Sequence, residues 1–182
     1  TIQDILKDSN YSLDLLSIYE NDLEIITKEQ KNGLVPYIVC KVRKKDIKLT
    51  PEEIVRQLYL IKLHKEYNYP YERMQLEFAV HFGREIKRAD IVIMDKIQPT
   101  VPYIIIEVKK PKLKDGKEQL KSYCNSTGAT MAVWTNGKEI VYYHRKDPNY
   151  FEPIPNIPSQ NQSLKDILTE RVTIEDLIKI DI

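Results

Sequence analysis

Cysteine is almost absent from this chain: Cys40 and Cys124 are the only two in 182 residues. Isolated from each other and without ligand spacing, they exclude a disulfide framework and argue against a zinc site. Histidine is nearly as scarce, and His64, His81 and His144 are too scattered to suggest chemistry built on imidazole. With five glycines the chain offers no G-x-x-x-x-G-K-[ST] loop and no glycine-rich methyl-donor motif, so nucleotide-driven work or methylation, if associated, lies elsewhere. No apolar run approaches about 18 residues and no signal-peptide pattern opens the chain, which predicts a cytoplasmic-type protein with no membrane partner. A large charge excess is missing too: 28 basic against 27 acidic residues leave +1, so any grip on a polyanion must be local. What remains, 42% hydrophobic and 30% charged residues, suits one globular domain with or without appendages.

The most informative stretch is Tyr103 to Lys110, YIIIEVKK, an apolar strand pattern that ends in a carboxylate and an amine two residues apart. Side chains alternate faces along a strand, so Glu107 and Lys109 project to the same side. Upstream, Lys87 to Met94 (KRADIVIM) forms a second strand-like run carrying Asp90, with only a turn-like segment around Asp95 to Thr100 between the two. Asp90 adjoins four apolar residues and shares a face with Val92 and Met94, a setting that favours a carboxylate held by a partner, such as a divalent cation. An Asp followed by Glu-x-Lys on paired strands is a metal-dependent nuclease signature.

Glu-x-Lys by itself is weak, since roughly one such triplet is expected in a chain of this size. Here there are three. Glu29-Gln30-Lys31 and Glu85-Ile86-Lys87 lie in polar surroundings and read as solvated charge; only the Glu107 copy ends a buried-looking run. After it, Gln119 and Tyr123 fall four apart in a helix-compatible segment beyond Gly116, on one face, with Leu120 and Cys124 facing inward. Charge gathers around these residues as well. Arg84, Lys87 and Arg88 precede Asp90, and Lys109, Lys110, Lys112, Lys114 and Lys117 follow Glu107, where they can meet phosphates.

Along the chain, residues 1–48 read as an irregular lead-in with a short helix near Asp14 to Leu23 and a strand at Val35 to Val42. Thr50, Pro51 and Glu53 predict a capping box with the preferred proline, opening a helix whose apolar positions Ile54, Leu58, Ile61 and Leu63 persist to Tyr69-Pro70. Strands are expected at Gln75 to His81, around Asp90, around Glu107, and at Ala129 to Trp134 and Glu139 to His144, the last two joined by an Asn136-Gly137 hairpin. A helix is expected at Gly116 to Asn125. Asp147 to Ser163 reads as a linker, and the tail carries two helix starts, at Ser163 and Thr173. The expected division is a lead-in at 1–48 packed on a core at 49–146, with a linker and helical tail at 147–182 cut from a longer protein.

From about Lys48 to Arg145 the chain resembles the N-terminal nuclease domain of type I restriction enzyme R subunits, a branch of the PD-(D/E)xK nuclease superfamily. The residues that carry the likeness are TPEEIVRQLYLIKLHKEYNYP, QLEFAV, RADIVI with Asp90, EVK at Glu107 to Lys109, Gln119 with Tyr123, and WTNGKEIVYY. Ala89 stands where the family name has proline. The resemblance implies an α/β, restriction-endonuclease-like fold, a twisted mixed sheet flanked by helices. It implies that Asp90, Glu107 and the Val108 carbonyl hold Mg²⁺ (with Mn²⁺ able to substitute), that Lys109 positions or activates water, and that Glu53 supports the metal through water or directly. Gln119 and Tyr123 correspond to the Gln-x-x-x-Tyr pair of that branch, contacting DNA or orienting the site, while Glu77 and Arg56 also match family positions. Arg84, Lys87, Arg88, Lys110 and Lys112 are the expected DNA contacts. The implied partners are double-stranded DNA and other restriction-modification subunits. A non-cleaving binding or docking module of the same fold and a structure-selective nuclease are the competing readings.

Overall fold

A computed structural model describes residues 2–110 and 116–169. The lead-in begins with helix α1 (Ile2–Leu6) and a 3-10 turn at Ser17–Asp22, then makes a small antiparallel meander of β1 (Ile25–Gln30), β2 (Gly33–Val39) and β3 (Asp46–Lys48). Only the middle strand of that meander was visible in the sequence, because β1 is largely exposed and β3 is three residues long, so neither shows a half-buried alternation. The long helix α2 (Pro51–Tyr67) follows. Thr50 Oγ1 accepts the Glu53 amide at 3.2 Å, with Pro51 in the first turn, as the capping pattern predicts. The Glu53 carboxylate does not return to complete the box; it turns to Arg56 and Gln57. Asn68, left-handed at φ 61°, ends the helix two residues before Pro70.

Six strands then form the main sheet, in sequence order: β4 (Met74–Phe82), β5 (Glu85–Met94), β6 (Pro102–Val108), β7 (Met131–Thr135), β8 (Ile140–Asp147) and β9 (Tyr150–Ile154). Helix α3 (Lys117–Thr127) crosses from β6 to β7, which makes that pair parallel while every other neighbour is antiparallel. The result is the expected mixed sheet flanked by helices. One face packs on α2 through Ile91, Ile93, Ile104, Ile106, Met131 and Val133; the other packs on α3 through Val92, Met94, Ile105, Ala132 and Trp134. Ile54, Leu58, Ile61 and Leu63 are all buried, and Leu6, Leu16 and Tyr19 of the lead-in join the same core.

Residues 147–163, linker-like in composition, contain β9 and continue into a segment tied to the end of α2. Pro153 is tolerated because β9 is an edge strand. Beyond it Ile157 is buried, Tyr67 donates to Asn156 Oδ1 at 2.6 Å, and Tyr69 donates to the Pro158 carbonyl at 2.7 Å. The Ser163 helix start is present, with Ser163 and Asp166 capping each other reciprocally; the one at Thr173 lies outside the described residues. The Asn136-Gly137 hairpin is also as expected, and Gly137 has a second reason to be glycine. At φ +85° a Cβ there would meet the Ser12 carbonyl at 2.2 Å, and Leu15 donates to the Gly137 carbonyl at 3.2 Å, so the lead-in docks directly on this turn. Among the described residues no helix is long and apolar enough to cross a membrane.

Candidate functional site

Asp90 and Glu107 meet where β5 and β6 part. Their ladder runs in register to Ile91 opposite Ile106 and stops there; the next positions are Asp90 and Glu107. In place of ladder bonds, the Asp90 amide donates to Glu107 Oε1 at 3.0 Å and the Val108 amide donates to Asp90 Oδ2 at 2.9 Å. Each carboxylate thus satisfies an amide at the fork. On the other side β6 remains paired with β7 through Glu107 opposite Trp134, and the Lys109 amide reaches the Thr135 carbonyl at 2.8 Å. The strand carrying Glu-Val-Lys is therefore held extended on one edge while it opens on the other.

The fourth strand is irregular at the same level. Leu76 pairs with Ile91 and Phe78 with Ala89, but Glu77, which would face Asp90, is skipped and has φ +49°. Before it Met74 and Leu76 point to the α2 side; after it Phe78, Val80 and Phe82 point to the α3 side. Strand irregularities of this kind re-aim side chains and end pairing. Asp90 is consequently released from regular pairing on both edges.

Alternation puts Asp90, Glu107 and Lys109 on the α3 face with Val92 and Ile105, and Lys109 Nζ lies 3.1 Å from Glu107 Oε2. The Glu107 side chain is 1% exposed. Burial and then the neighbouring Asp90 charge push its carboxyl up to about 7, with Lys109 and the Asp90 amide acting in the opposite sense. Tyr123, buried on α3, has its hydroxyl pushed up to about 12 by burial, then by the charges of Glu107, Asp90 and Glu85. Gln119, one turn earlier and half-buried, makes no hydrogen bond to the pair among the described residues.

Glu53 lies on α2, in a buried network. Its carboxylate accepts Arg56 Nη1 and Gln57 Nε2, both at 2.9 Å; Arg56 also reaches Glu52 at 2.9 Å and Glu77 at 3.5 Å. The network approaches the fork through Glu77, with no hydrogen bond from Glu53 to Asp90 or Glu107 among the described residues. Of the expected DNA contacts, Arg84, Arg88 and Lys110 are exposed, and Lys87 is half-buried beside Glu85 at 3.7 Å. Arg88 donates to the Glu77 carbonyl, and the Lys110 ammonium sits 5.5 Å over the Tyr11 ring. Lys112 lies outside the described residues. Tyr11 was not singled out in the sequence, where a lead-in tyrosine carries no motif. Burial, then Glu52 and Asp90, push its hydroxyl up to about 12, and the Lys110 ammonium over its ring places the lead-in beside the end of the Glu107 strand. Trp134 was read only as a strand residue, although its alternation places it on the Glu107 face.

The donors that converge here are all oxygen: the Asp90 and Glu107 carboxylates, with the Val108 carbonyl between Glu107 and Lys109 in sequence. Among the described residues no group of three His, Cys, Asp or Glu side chains assembles into a metal cluster. The set can therefore supply two carboxyl groups and one amine to whatever it binds.

Compared with known protein families, residues 51–158 match the type I restriction enzyme R protein N terminus (HSDR_N). Among solved structures, the chain is similar to a fragment assigned to an HsdR subunit of a type I restriction enzyme from Vibrio vulnificus YJ016, at 21% identity and a TM-score of 0.46. That match covers 66% of this chain and 25% of the other, so the chain spans about a quarter of that fragment's length. No curated protein matches it.

Proposed function

The chain belongs to the family of type I restriction enzyme R protein N-termini, and from that premise we propose that it is the Mg²⁺-dependent DNA-cutting domain of a restriction system, hydrolysing phosphodiester bonds of double-stranded DNA. The observation that carries the reading is the fork itself: Asp90 and Glu107 locked by each other's strand amides, with the Lys109 ammonium 3.1 Å from Glu107. A strand end that is merely solvated has no reason to bury a carboxylate at 1% exposure beside another.

The donor set suits a hard divalent ion. Asp90, Glu107 and the Val108 carbonyl would hold it, with waters and phosphate oxygens completing the shell that Mg²⁺ requires. Burial, and then the charge of Asp90, raise the proton affinity of Glu107, and a bound cation would offset both. When bound, Mg²⁺ supplies Lewis acidity at the phosphate and lowers the pKa of its water. Lys109, with Nζ 3.1 Å from Glu107 Oε2, donates from Nζ to the reacting phosphate or to the attacking water. Tyr123 and Gln119 act from α3 on the DNA or on the outer shell. Glu53 accepts Arg56 and Gln57 with one oxygen each, which holds Arg56 toward Glu77 and the fork, and its remaining lone pairs would support the ion through water or directly. Arg84, Lys87, Arg88 and Lys110 meet backbone phosphates, and other restriction-modification subunits complete the assembly.

A plasmid-nicking assay with and without Mg²⁺, on wild type and Asp90→Ala, tests the reading. Nicking that requires Mg²⁺ and disappears in Asp90→Ala supports it. Metal-independent nicking, or equal nicking by both proteins, overturns it.

A further inference from the structure

Trp134 is the only tryptophan of the chain, 2% exposed, and its indole Nε1 is buried without a hydrogen-bond partner among the described residues. A buried indole N–H ordinarily finds an acceptor, because an unmade buried donor costs stability. Trp134 is paired in register with Glu107 across the parallel β6–β7 ladder, and register partners share a face. The orphan donor therefore lies on the same side of the sheet as Asp90, Glu107 and Lys109.

The residue packed beside it has no side chain. Gly116, at φ +108°, is the residue from which α3 starts. A Cβ there would stand 3.4 Å from Trp134 Nε1 and 3.0 Å from Lys109 Cε, so both side chains converge on the point a larger residue would fill. The eleven-residue α3 has no side-chain cap at this end, which leaves the positive pole of its dipole facing the same point. Lys117 in the first turn holds its ammonium 4.7 Å over the Trp134 ring. A donor without an acceptor, a helix start and the Lys117 ammonium, next to a Lys109 already paired with Glu107 at 3.1 Å, call for an anion.

We propose that Trp134 is the donor of a phosphate subsite at the start of α3, where its indole N–H, the first-turn amides, Lys109 and Lys117 receive a non-bridging oxygen of a DNA-backbone phosphate beside Asp90 and Glu107. The inference rests on the DNA-cutting reading and adds to it the residue that grips the strand next to the metal half of the site. Because the grip is made by the protein's own donors, it operates without metal.

The single indole gives the test. In ¹⁵N-labelled protein, a short DNA duplex added at low salt in EDTA should move the one indole N–H resonance downfield. Trp134→Phe, which keeps the ring and loses the donor, should weaken duplex binding roughly tenfold by anisotropy, the scale of a charge-assisted hydrogen bond; Lys117→Ala should weaken it as well. Asp90→Ala should still bind and still show the indole shift, whereas wild type that binds in this way but fails to nick DNA in Mg²⁺ sinks the cleavage reading and leaves the subsite standing. Duplex that binds with the indole resonance unmoved overturns the subsite and spares the cleavage reading, even if Trp134→Phe fails to fold. Absence of any duplex binding by wild type at low salt overturns both.

Discussion

Glu85-Ile86-Lys87 and Glu107-Val108-Lys109 are the same chemical triplet on adjacent strands of one sheet, and they differ in nearly everything that matters. In the first, at the start of β5, Glu85 is 66% exposed and its lysine stands 3.7 Å away at the surface. In the second, at the end of β6, Glu107 is 1% exposed, its lysine is at 3.1 Å, and it accepts the Asp90 amide while the Asp90 carboxylate accepts the amide of Val108. A surface pair of the first kind contributes little to stability and nothing obvious to chemistry. The second stores electrostatic tension in a dry place, the usual condition for a functional carboxylate. Residue type supplies the functional groups; the position at which two strands diverge decides whether they are put to use.

The strongest break of this contrast is removal of a carboxylate at the fork. Asp90→Ala and Glu107→Ala should each abolish cleavage and weaken Mn²⁺ binding in titration calorimetry while the domain stays folded; unchanged metal affinity in both variants would place the metal elsewhere. Next in size, Lys109→Ala should keep its metal and lose turnover by a factor on the order of 10² to 10³, as when one preorganised donor is withdrawn from a transition state. Normal cutting by Lys109→Ala would demote the amine to a strand-end charge like Lys87.

The pH dependence of stability sharpens the contrast without any substrate. Glu107 has its pKa raised from 4.5 to about 7 in the fold, so its share of stability is full below about 4.5 and is lost as pH rises through about 7. Glu107→Gln fixes the neutral form. In EDTA, its stability relative to wild type should therefore increase between pH 5 and pH 8, by up to about 3 kcal/mol, read from denaturant midpoints. A difference that is flat or reversed in sign would mean Glu107 is not held in the environment described.

Smaller still, Tyr123→Phe and Gln119→Ala should lower cleavage roughly tenfold and leave metal binding intact, as for groups acting behind the ligands. Tyr123 is the sharper probe, since its hydroxyl feels both carboxylates. At the bottom of the scale, Glu85→Ala with Lys87→Ala should leave metal binding intact and shift stability by no more than about 0.5 kcal/mol. A large loss of metal affinity or stability there would erase the distinction between the two triplets.

The fork was legible because two local rules coincide at it. Alternation put Glu107 and Lys109 on one side of their strand and Asp90 with Val92 and Met94 on a side of its own, and the short turn at Asp95 to Thr100 implied that the two strands pair. Thr50, Pro51 and the spacing from Ile54 to Leu63 likewise carried α2, because capping and amphipathic spacing are written within a few residues. What the sequence hid depends on distant partners. Strand β9 looks like linker until β8 lies beside it; Tyr11 comes beside the end of the Glu107 strand only because Ser12 is seated on Gly137; and Glu53, apparently half of a capping box, is drawn off by Arg56, a guanidinium buried one turn along the same helix. Glu77 is the clearest instance: nothing in QLEFAV announces a left-handed residue, and its irregularity has meaning only opposite Asp90.

The reciprocal bonds at the fork also make two amides into reporters. Ordinary ladder amides exchange with solvent deuterium only when strands separate, but those of Asp90 and Val108 are covered by carboxylates, which a cation or a proton can draw away while the sheet stays intact. Their exchange should accordingly respond to occupancy of the site, whereas Ile91 and Ile106, one residue inside the ladder, keep the slow exchange of the core.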